Sequence, residues 1–268
     1  MSNIYQKLYE IERSQEKAAL CLIIGTKGST PRKVGAKMIV NEHGKIWGTI
    51  GGGSLERQVI QDALSSIESQ KAVTFDHALV HDHGMCCGGS VQIYIEPVMN
   101  KKALYIFGAG HIGAALANLA NQLDFQVTLI DGRDQMLEDF DPTQYTLIPK
   151  HYELAFEELQ FDEQIFIAVM THDHAFDRAI IAHCAMQKFA YLGMIGSARK
   201  VEIAKKIFRA ANSVSEEQIA RIDWPMGIPV MAQTPKEIAV SILAKLIDVR
   251  SRLLGVEAKT LEKFKKVL

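Results

Sequence analysis

The sequence predicts an α/β protein with a parallel sheet in its C-terminal part and a smaller mixed α/β domain before it. Two observations carry this prediction. After a polar joint at residues 98–102, apolar runs of strand length alternate with helical patterns. This alternation is typical of βαβ units, which form a parallel sheet covered by helices on both faces. Before the joint, short strands, a hairpin turn and glycine-rich segments prevail. We therefore place the two domains at residues 1–98 and 99–268.

Hydrophobic spacing gives the order of the elements. In the first domain we expect helices at 4–15 and 55–69, and strands from 18 and at 37–40, 45–50, 72–75 and 90–97. In the second we expect strands at 103–107, 126–131, 164–170 and 190–194, and helices at 111–123, 177–187, 200–211 and 235–254. The last of these helices closes the C-terminal domain.

Composition limits the classes of function. A formal net charge of −1 gives no general attraction to nucleic acid or to an anionic membrane surface, so we expect neither as a partner. The N-terminus lacks the apolar region of a signal peptide, and no apolar run approaches the ~20 residues that span a bilayer. Four cysteines do not make a disulfide framework, and Cys21 and Cys184 lie in apolar patterns typical of inert core thiols. A cytoplasmic protein fits best.

The segment ALYIFGAGHIG (103–113) begins with the predicted strand at 103–107 and places Gly108, Gly110 and Gly113 in a G-x-G-x-x-G pattern. The pattern follows a strand, opens a helix and precedes a second strand that ends in Asp131, which is the context of a Rossmann-type nucleotide-binding unit. The glycines allow a tight turn, the approach of a pyrophosphate and close packing of helix on strand. Asp131 could accept hydrogen bonds from a ribose diol, and Arg133 could meet a further phosphate. The alternative is a tight turn without a ligand.

Polar residues follow other strands of the same predicted sheet. His111 begins the helix after the glycine turn, where it either donates a hydrogen bond to the ligand or is a tolerated surface residue. The segment THDHAFD (171–177) either supplies metal ligands or, as we favour, caps the next helix and lines a polar crevice. Ser197 and Lys200, in MIGSARK, are further candidates for contact with the ligand because they too follow a strand.

Two glycine-rich segments of the first domain have chemistry that a nucleotide unit does not explain. The first, GSTPRKVGAKM (28–38), could bind an anion through backbone N–H groups and cations such as Arg32. The second, GTIGGGSLE (48–56), contains three successive glycines that let the backbone approach a ligand closely. Ser54 is the expected N-cap of the helix that follows. Glu56 either complements the dipole of that helix or handles a proton. The glycines of the second segment are Gly51, Gly52 and Gly53.

The segment MCCGG (85–89) places two adjacent cysteines beside two glycines. We interpret Cys86 and Cys87 as exposed thiols on a turn that react or bind a cofactor; the alternative is that they are ordinary core or surface residues. His81 and His83 make zinc an alternative, but adjacent cysteines do not match the usual two- to four-residue separation. We assign no metal site and no catalytic residue.

Taken together, these segments resemble the XdhC/CoxI family, the xanthine dehydrogenase accessory factors. The resemblance covers almost the whole chain. It rests, in order, on GSTPRKVGAKM, GTIGGGSLE, CCGG before a strand that ends in Glu-Pro, GAGHIG with its Asp and Arg, THDH, MIGSARK and TPKEIAVSILA. The family cysteine implicated in cofactor binding falls on Cys87, with Cys86 beside it, and the family's glycine segment falls on residues 51–53 and Glu56.

The resemblance implies an accessory protein that binds molybdenum cofactor, as molybdopterin or its dinucleotide form. Such a protein supports sulfuration of the cofactor and its insertion into an apo-xanthine dehydrogenase or related molybdoenzyme, with a cysteine desulfurase as a further partner. It is more a maturation chaperone than a catalyst, and we expect a homodimer. The alternative is an NAD(P)-dependent oxidoreductase that uses the GAGHIG site for NAD(P).

Overall fold

The computed structural model describes residues 3–13, 16–79, 88–98 and 101–253. The chain divides into two compact units, Met1–Lys101 and Lys102–Leu268. The fold class predicted from the sequence is confirmed, because the second unit contains a fully parallel sheet of Rossmann type and the first contains helices on a separate sheet.

The first unit is built on a five-stranded antiparallel sheet. Its strand order is β3-β2-β1-β5-β4. The elements in chain order are α1 (Ile4–Arg13), β1 (Ala18–Lys27), β2 (Lys37–Asn41), β3 (Ile46–Gly48), α2 (Gly53–Ser69), β4 (Val73–Ala78) and β5 (Ser90–Pro97).

Alternation along β1 places apolar side chains on both faces of this sheet. Cys21 and Ile23 belong to the core cluster that includes buried residues of α2, such as Leu55. Ala18 faces the other way and packs with Ile11 of α1. Each helix thus covers its own face of the sheet, and the loops that carry the glycine segments lie at the ends of the strands.

The second unit is built on a five-stranded parallel sheet in the order β10-β9-β6-β7-β8. Its elements are β6 (Lys102–Phe107), α3 (His111–Asn121), β7 (Phe125–Ile130), β8 (Thr146–Ile148), α4 (Tyr152–Ala155), β9 (Phe166–Val169), α5 (His174–Cys184), β10 (Tyr191–Met194), α6 (Ala198–Ala211), α7 (Glu216–Arg221) and α8 (Pro235–Leu253).

Both faces of the parallel sheet are buried. Tyr105 and Phe107 of β6 point into a core shared with α5 and α6. Leu104 and Ile106 point to the opposite face and pack with residues of α3 and α8. The chain crosses from one face to the other between β6 and its neighbour β9, and a crossing of this kind leaves a crevice at the carboxyl ends of the strands. Among the described helices, none is both long and apolar enough to cross a lipid bilayer.

Three short elements depart from the sequence prediction. The three-residue strand β8 and the four-residue helix α4 lie in a stretch to which we assigned no element, and the helix α7, also not predicted, follows α6. Helix α5 begins at His174, three residues before the predicted start. Such short elements hold too few residues to repeat a hydrophobic period, so spacing alone does not reveal them.

Candidate functional site

Two of the three glycines between β6 and α3 are required by close packing. Gly108 has a backbone φ of +105°, and a Cβ atom on it would lie 2.4 Å from the carbonyl oxygen of Met170. A Cβ atom on Gly113 would lie 1.9 Å from the carbonyl oxygen of Gly108. Both distances are far below van der Waals contact, so these glycines serve the tight turn and the close approach of helix and strand.

Gly110 differs because its neighbours leave room for a side chain. It is the N-cap of α3 in extended backbone, and an added Cβ atom would meet no atom of the described residues within 4 Å. The first N–H groups of a helix have no acceptor within it and give its N-terminus a partial positive charge. The open space beside Gly110 therefore suits an anionic group, in agreement with the approach of a pyrophosphate that the glycine pattern predicts.

A cleft of about 790 Å³ opens beside Gly110 at the carboxyl ends of the parallel strands. Its walls come from the loops after β6, β7, β9 and β10. Its polar side chains include His111, Asn118, Arg133, His172, His174 and Lys200. Five residues singled out separately in the sequence line this one space: Gly110, His111, Gly113, Arg133 and Lys200.

The carboxylate of Asp131, directly after β7, is hydrogen bonded on both oxygens. Oδ2 accepts from the Ala109 N–H at 2.9 Å and from Arg133 Nη2 at 2.7 Å. Oδ1 accepts from the N–H and the Nε of Arg133 at 3.1 and 2.9 Å. Burial opposes ionisation of this carboxyl, but the hydrogen bonds outweigh burial and hold the pKa of Asp131 below its usual range.

These four bonds bear on the role predicted for Asp131. A carboxylate offers about four acceptor positions, and here Arg133 and the glycine turn occupy them. A ribose diol could reach Asp131 only if Arg133 moved. The guanidinium of Arg133 has five N–H donors, of which Nε and Nη2 face the carboxylate, and its side chain lines the cleft. Arg133 is therefore placed to meet an anion in the cleft through its remaining donors.

Ser197 and Lys200 lie at the start of α6. The Ser197 hydroxyl accepts a hydrogen bond from the Lys200 N–H at 3.4 Å, which makes Ser197 the N-cap of the helix. The exposed Lys200 lines the cleft. Contact of Ser197 with a ligand stays a prediction.

The polar segment before α5 is organised by capping. Asp173 is the N-cap and accepts from the Ala175 N–H at 2.7 Å. Asp177 is buried, accepts from the N–H and hydroxyl of Thr171 at 2.8 and 2.7 Å, and lies 3.0 Å from His174 Nδ1. The capping interpretation of this segment is confirmed. Over the residues that the structure describes, no group of three or more His, Cys, Asp or Glu side chains is arranged to hold a metal ion.

In the first unit, Glu56 pins the turn before α2. Its Oε1 accepts from the Thr49 hydroxyl, from the Ile50 N–H at 3.1 Å and from the Gly52 N–H at 2.9 Å. Burial disfavours the charged form, but these bonds outweigh it and lower the pKa of Glu56. An ionised carboxylate engaged in this way orders the glycine turn, and it is poorly suited to handle a proton.

The glycine turn itself takes a conformation that other residues rarely adopt. Gly51, Gly52 and Gly53 have φ values of +141°, +80° and +68°. A Cβ atom on Gly51 would lie 2.7 Å from Cγ of Pro31. The N-cap of α2 is Gly52, so the prediction that Ser54 caps the helix is wrong: Ser54 lies within its first turn. The helix begins earlier than its hydrophobic pattern because glycine, not serine, fits the backbone there.

The segment at 28–38 contacts both other glycine segments of this unit. Pro31 meets Gly51 as described. A Cβ atom on Gly89 would lie 2.4 Å from the carbonyl oxygens of Lys27 and Ser29, so the start of this segment packs directly on Gly89. Arg32 is exposed. Three motifs separated in sequence therefore meet within one unit.

The remaining predictions concern cysteines. Cys86 and Cys87 lie outside the described residues, as do His81 and His83, so the thiol prediction stays as made. Cys21 and Cys184 are buried, and burial raises the pKa of each thiol to about 12. Their predicted role as inert core thiols is confirmed.

Sequence reasoning missed a second cavity at the same edge of the parallel sheet. It has a volume of about 140 Å³ and is lined by residues that follow β6, β7, β8 and β9, with Tyr152 and Phe176 among them. The available signal was the run TLIPKHY (146–152), in which two apolar residues precede a proline and two rings. Because β8 has only three residues, the sequence did not predict a strand there, and so it did not predict a cavity at the end of that strand.

The parallel sheet, the glycine turn with its open central position and the cleft at the strand ends define the second unit as a Rossmann-type domain with a site suited to a phosphate-bearing ligand. Residues 104–246 match the XdhC Rossmann domain, and residues 11–81 match the XdhC and CoxI family. The chain belongs to the XdhC/CoxI family.

Similarity to individual proteins extends over nearly the whole chain. This chain is 32% identical over 259 residues to the uncharacterized protein YqeB of Escherichia coli (strain K12), and the alignment covers 94% of this chain and 47% of that protein. This chain thus spans about half the length of that relative. It is 24% identical over 335 residues to a Bacillus subtilis (strain 168) protein described as a probable subunit of xanthine dehydrogenase, covering 94% and 99%. A crystal structure described as a xanthine dehydrogenase from Bacillus halodurans aligns with a TM-score of 0.49 and 20% identity, covering 92% and 96%.

Proposed function

We propose that this protein is an accessory factor that binds molybdenum cofactor and supports its sulfuration and insertion into a xanthine dehydrogenase-type molybdoenzyme. The observation that carries the proposal is the cleft of about 790 Å³ beside Gly110, together with membership of the XdhC/CoxI family. The description of the Bacillus subtilis relative, as a probable part of a xanthine dehydrogenase, supports the same class of recipient enzyme.

The residues of the cleft fit the phosphate end of such a cofactor. Molybdopterin carries a phosphate, and its dinucleotide form carries a diphosphate. The first N–H groups of α3 would hold that group beside Gly110, with Arg133 and Lys200 as cationic partners. His111, exposed in the first turn of α3, would add a hydrogen-bond donor.

The family resemblance gives the adjacent thiols a role of their own in cofactor binding. We assign Cys87, with Cys86 beside it, to this role because thiolates are ligands of soft metal and sulfur centres. The bound group would supply the redox chemistry of the recipient enzyme. This chain would bind the cofactor, shield it and release it, with a cysteine desulfurase as the source of sulfur.

A binding and transfer assay tests the proposal. The full chain is incubated with molybdenum cofactor released from a molybdoenzyme and, separately, with NAD(H); both affinities are measured, and the loaded protein is mixed with an apo-molybdoenzyme. We expect tight binding of the molybdenum cofactor and activation of the recipient. Binding no tighter than to an unrelated protein, with no activation, would refute the proposal. Preferential binding of NAD(H) would favour the alternative, an NAD(P)-dependent oxidoreductase.

Two matched pairs of variants locate the site. Lys200→Gln removes a charge that lines the cleft, whereas Lys206→Gln removes an exposed charge from the same helix outside it. Loss of a charge-assisted hydrogen bond worth ~1.5 kcal/mol should weaken cofactor binding roughly tenfold in the first variant only. Cys87→Ser and Cys86→Ser are compared for retention of molybdenum, and unchanged retention in both would remove the thiol assignment.

A further inference from the structure

An open groove of about 510 Å³ lies on the surface of the second unit, apart from the cleft. One wall is formed by α4 and the short 3₁₀ helix that follows it (Phe156–Glu158), and the other wall is formed by α5. The lining residues are Tyr152, Glu153, Phe156, Glu157, Ala179 and His183. None of them lines the cleft, so the groove is a separate feature from the phosphate site proposed above.

Three of the lining side chains are partly exposed rings. His183 stacks on Phe156 with a centroid distance of 3.7 Å and an interplanar angle of 4°. Tyr152 lies 5.9 Å from Phe156 in an edge-to-face arrangement. Burial lowers the pKa of His183 below its ordinary value, so the stacked imidazole is neutral at pH 7 and adds no positive charge. The groove therefore presents ring surface of the kind that attracts cations.

Two carboxylates lie beside these rings. Glu153 and Glu157 are exposed, stand four residues apart and both line the groove. Like charges at this spacing repel each other and mildly destabilise a helix. Glu153 lies 3.7 Å from His151 Nδ1, whereas Glu157 forms no ion pair with any residue that the structure describes. None of the lining residues is Lys or Arg, so the groove carries negative charge next to its rings.

Rings beside carboxylates fit the guanidinium group of arginine. This planar cation stacks on ring faces and pairs with carboxylates through N–H donors in a fixed geometry. The groove is open along its surface, whereas sites for small molecules enclose most of their ligand. An arginine held here therefore needs further contacts from the chain that carries it.

Two large apolar side chains beside the groove offer such contacts. Leu154, next to Glu153 in α4, is 58% exposed. Met186 is 64% exposed, and its N–H donates to the His183 carbonyl at 3.2 Å. Burial of exposed apolar surface favours association, and methionine and arginine are both enriched at protein interfaces.

We propose that this groove docks a segment of a partner protein that carries an arginine with apolar neighbours. The inference goes beyond the proposed function, because it does not depend on which cofactor the cleft binds. Tyr152 lines both the groove and the cavity of about 140 Å³, and that cavity shares Arg133 and His172 with the cleft. A partner docked in the groove would thus lie near the cleft, where a protein that exchanges a ligand with this one must be.

NMR titration of the full chain with short peptides tests the proposal. The probe is acetyl-Gly-Leu-Ser-Arg-Ser-Leu-Gly-amide, and the reference peptide has citrulline, the neutral isostere, in place of arginine. We expect the arginine peptide to bind roughly 3- to 30-fold more tightly, as one exposed ion pair and one cation–π contact together imply. The side-chain protons of its arginine should shift upfield on binding, because protons over a ring face are shielded.

A matched pair of variants locates the contact. Glu157→Gln removes a carboxylate of the groove, whereas Glu217→Gln removes an exposed carboxylate of α7 outside it. The first variant should weaken binding of the arginine peptide roughly two- to fivefold and leave the citrulline peptide unchanged. The second should change neither. Because both side chains are exposed, both variants should fold, and circular dichroism checks that they do.

The outcomes separate this proposal from the proposed function. Equal affinities for the two peptides, or equal effects of the two variants, would overturn the docking site. Binding of free arginine amide as tightly as the arginine peptide would also overturn it, because the groove would then take a small cation and not a protein segment. Each of these results would leave molybdenum cofactor binding untouched, and failure of the chain to bind that cofactor would leave the docking site standing.

Discussion

The glycine turn offers the sharpest test of how the second unit is built, because two of its glycines should respond in opposite ways to the same change. In Gly113→Ala the new Cβ atom would lie 1.9 Å from the carbonyl oxygen of Gly108, against 3.4 Å or more in ordinary contact. The obstacle is backbone, which cannot rotate away as a side chain would. Helix α3 must therefore shift from β6, and every contact between them is disturbed.

This geometry sets the expected loss of folding stability in Gly113→Ala. Overpacking a well-packed region costs ~1–3 kcal/mol, and a clash with backbone belongs at the upper end. For a domain of this size, 1 kcal/mol corresponds to about 2–4 °C in Tm, so Gly113→Ala should lower Tm by roughly 4–12 °C. In Gly110→Ala the new Cβ atom meets open space and the backbone is already extended. A weaker N-cap and a less flexible unfolded chain oppose each other, leaving a net change within about 1 kcal/mol.

Differential scanning calorimetry of the full chain measures both variants against the wild type. The reasoning predicts a clear loss of stability in Gly113→Ala and little change in Gly110→Ala. Pyrophosphate binding tests Gly110 instead. Gly110→Ala should stay folded, but its new methyl group fills the space where phosphate would lie, so its affinity for pyrophosphate should fall. Equal Tm values for the two variants would refute the packing role of Gly113, and unimpaired pyrophosphate binding by Gly110→Ala would refute the ligand role of Gly110.

Three further changes probe carboxylates whose contacts are defined. Asp131→Asn should cost ~1.5–3 kcal/mol at pH 7 by weakening the bonds to Arg133. Because the folded pKa of Asp131 is lowered, this contribution is fully present above the unfolded pKa and is lost as pH falls through the folded pKa. In urea denaturation, the difference between the variant and the wild type should therefore begin to shrink below about pH 4 and should disappear only when the pH lies below the folded pKa. Glu56→Gln should speed hydrogen exchange of the Ile50 and Gly52 amides, and unchanged exchange would contradict the pinning role. Asp173→Ala should cost ~0.5–2 kcal/mol through loss of the N-cap of α5, while Asp173→Ser should retain most of the stability measured in urea.

Much of the fold follows from periodicity. Strand β5 occupies the predicted residues, because its alternation of buried and less buried positions is regular over eight residues. Helix α3 begins at the predicted His111, because the glycine pattern fixes where the strand ends and the helix starts. Strand β8 was missed for a physical reason: three residues are too few to show a repeated alternation, and it is the pairing with β7 that makes them a strand.

Some features of the candidate site were likewise predictable from the sequence, and others were not. A known pattern brought Gly110, Gly113 and His111 to one cleft, since the pattern itself encodes a turn. No pattern encodes that Arg133 folds back onto Asp131, because that contact depends on the backbone direction of two residues after β7. The N-cap of α2 was missed for a related reason: serine is the better capping residue in general, but the positive φ of Gly52 decides the matter here.

The pair formed by Asp131 and Arg133 also bears on which ligands the Rossmann-type domain should prefer. A dinucleotide that needs the carboxylate for a ribose diol must first break hydrogen bonds to a charged partner, at a cost of ~1.5–3 kcal/mol, or roughly 10- to 150-fold in affinity. A ligand that needs the guanidinium has no such cost, because Arg133 lines the cleft with donors that Asp131 does not use. The same glycine pattern that predicts a nicotinamide dinucleotide site is therefore biased here toward ligands richer in phosphate than in free ribose contacts. Comparison of NAD and NADP affinities in the wild type and in Arg133→Gln would measure that bias, and a wild-type preference for NAD would contradict it.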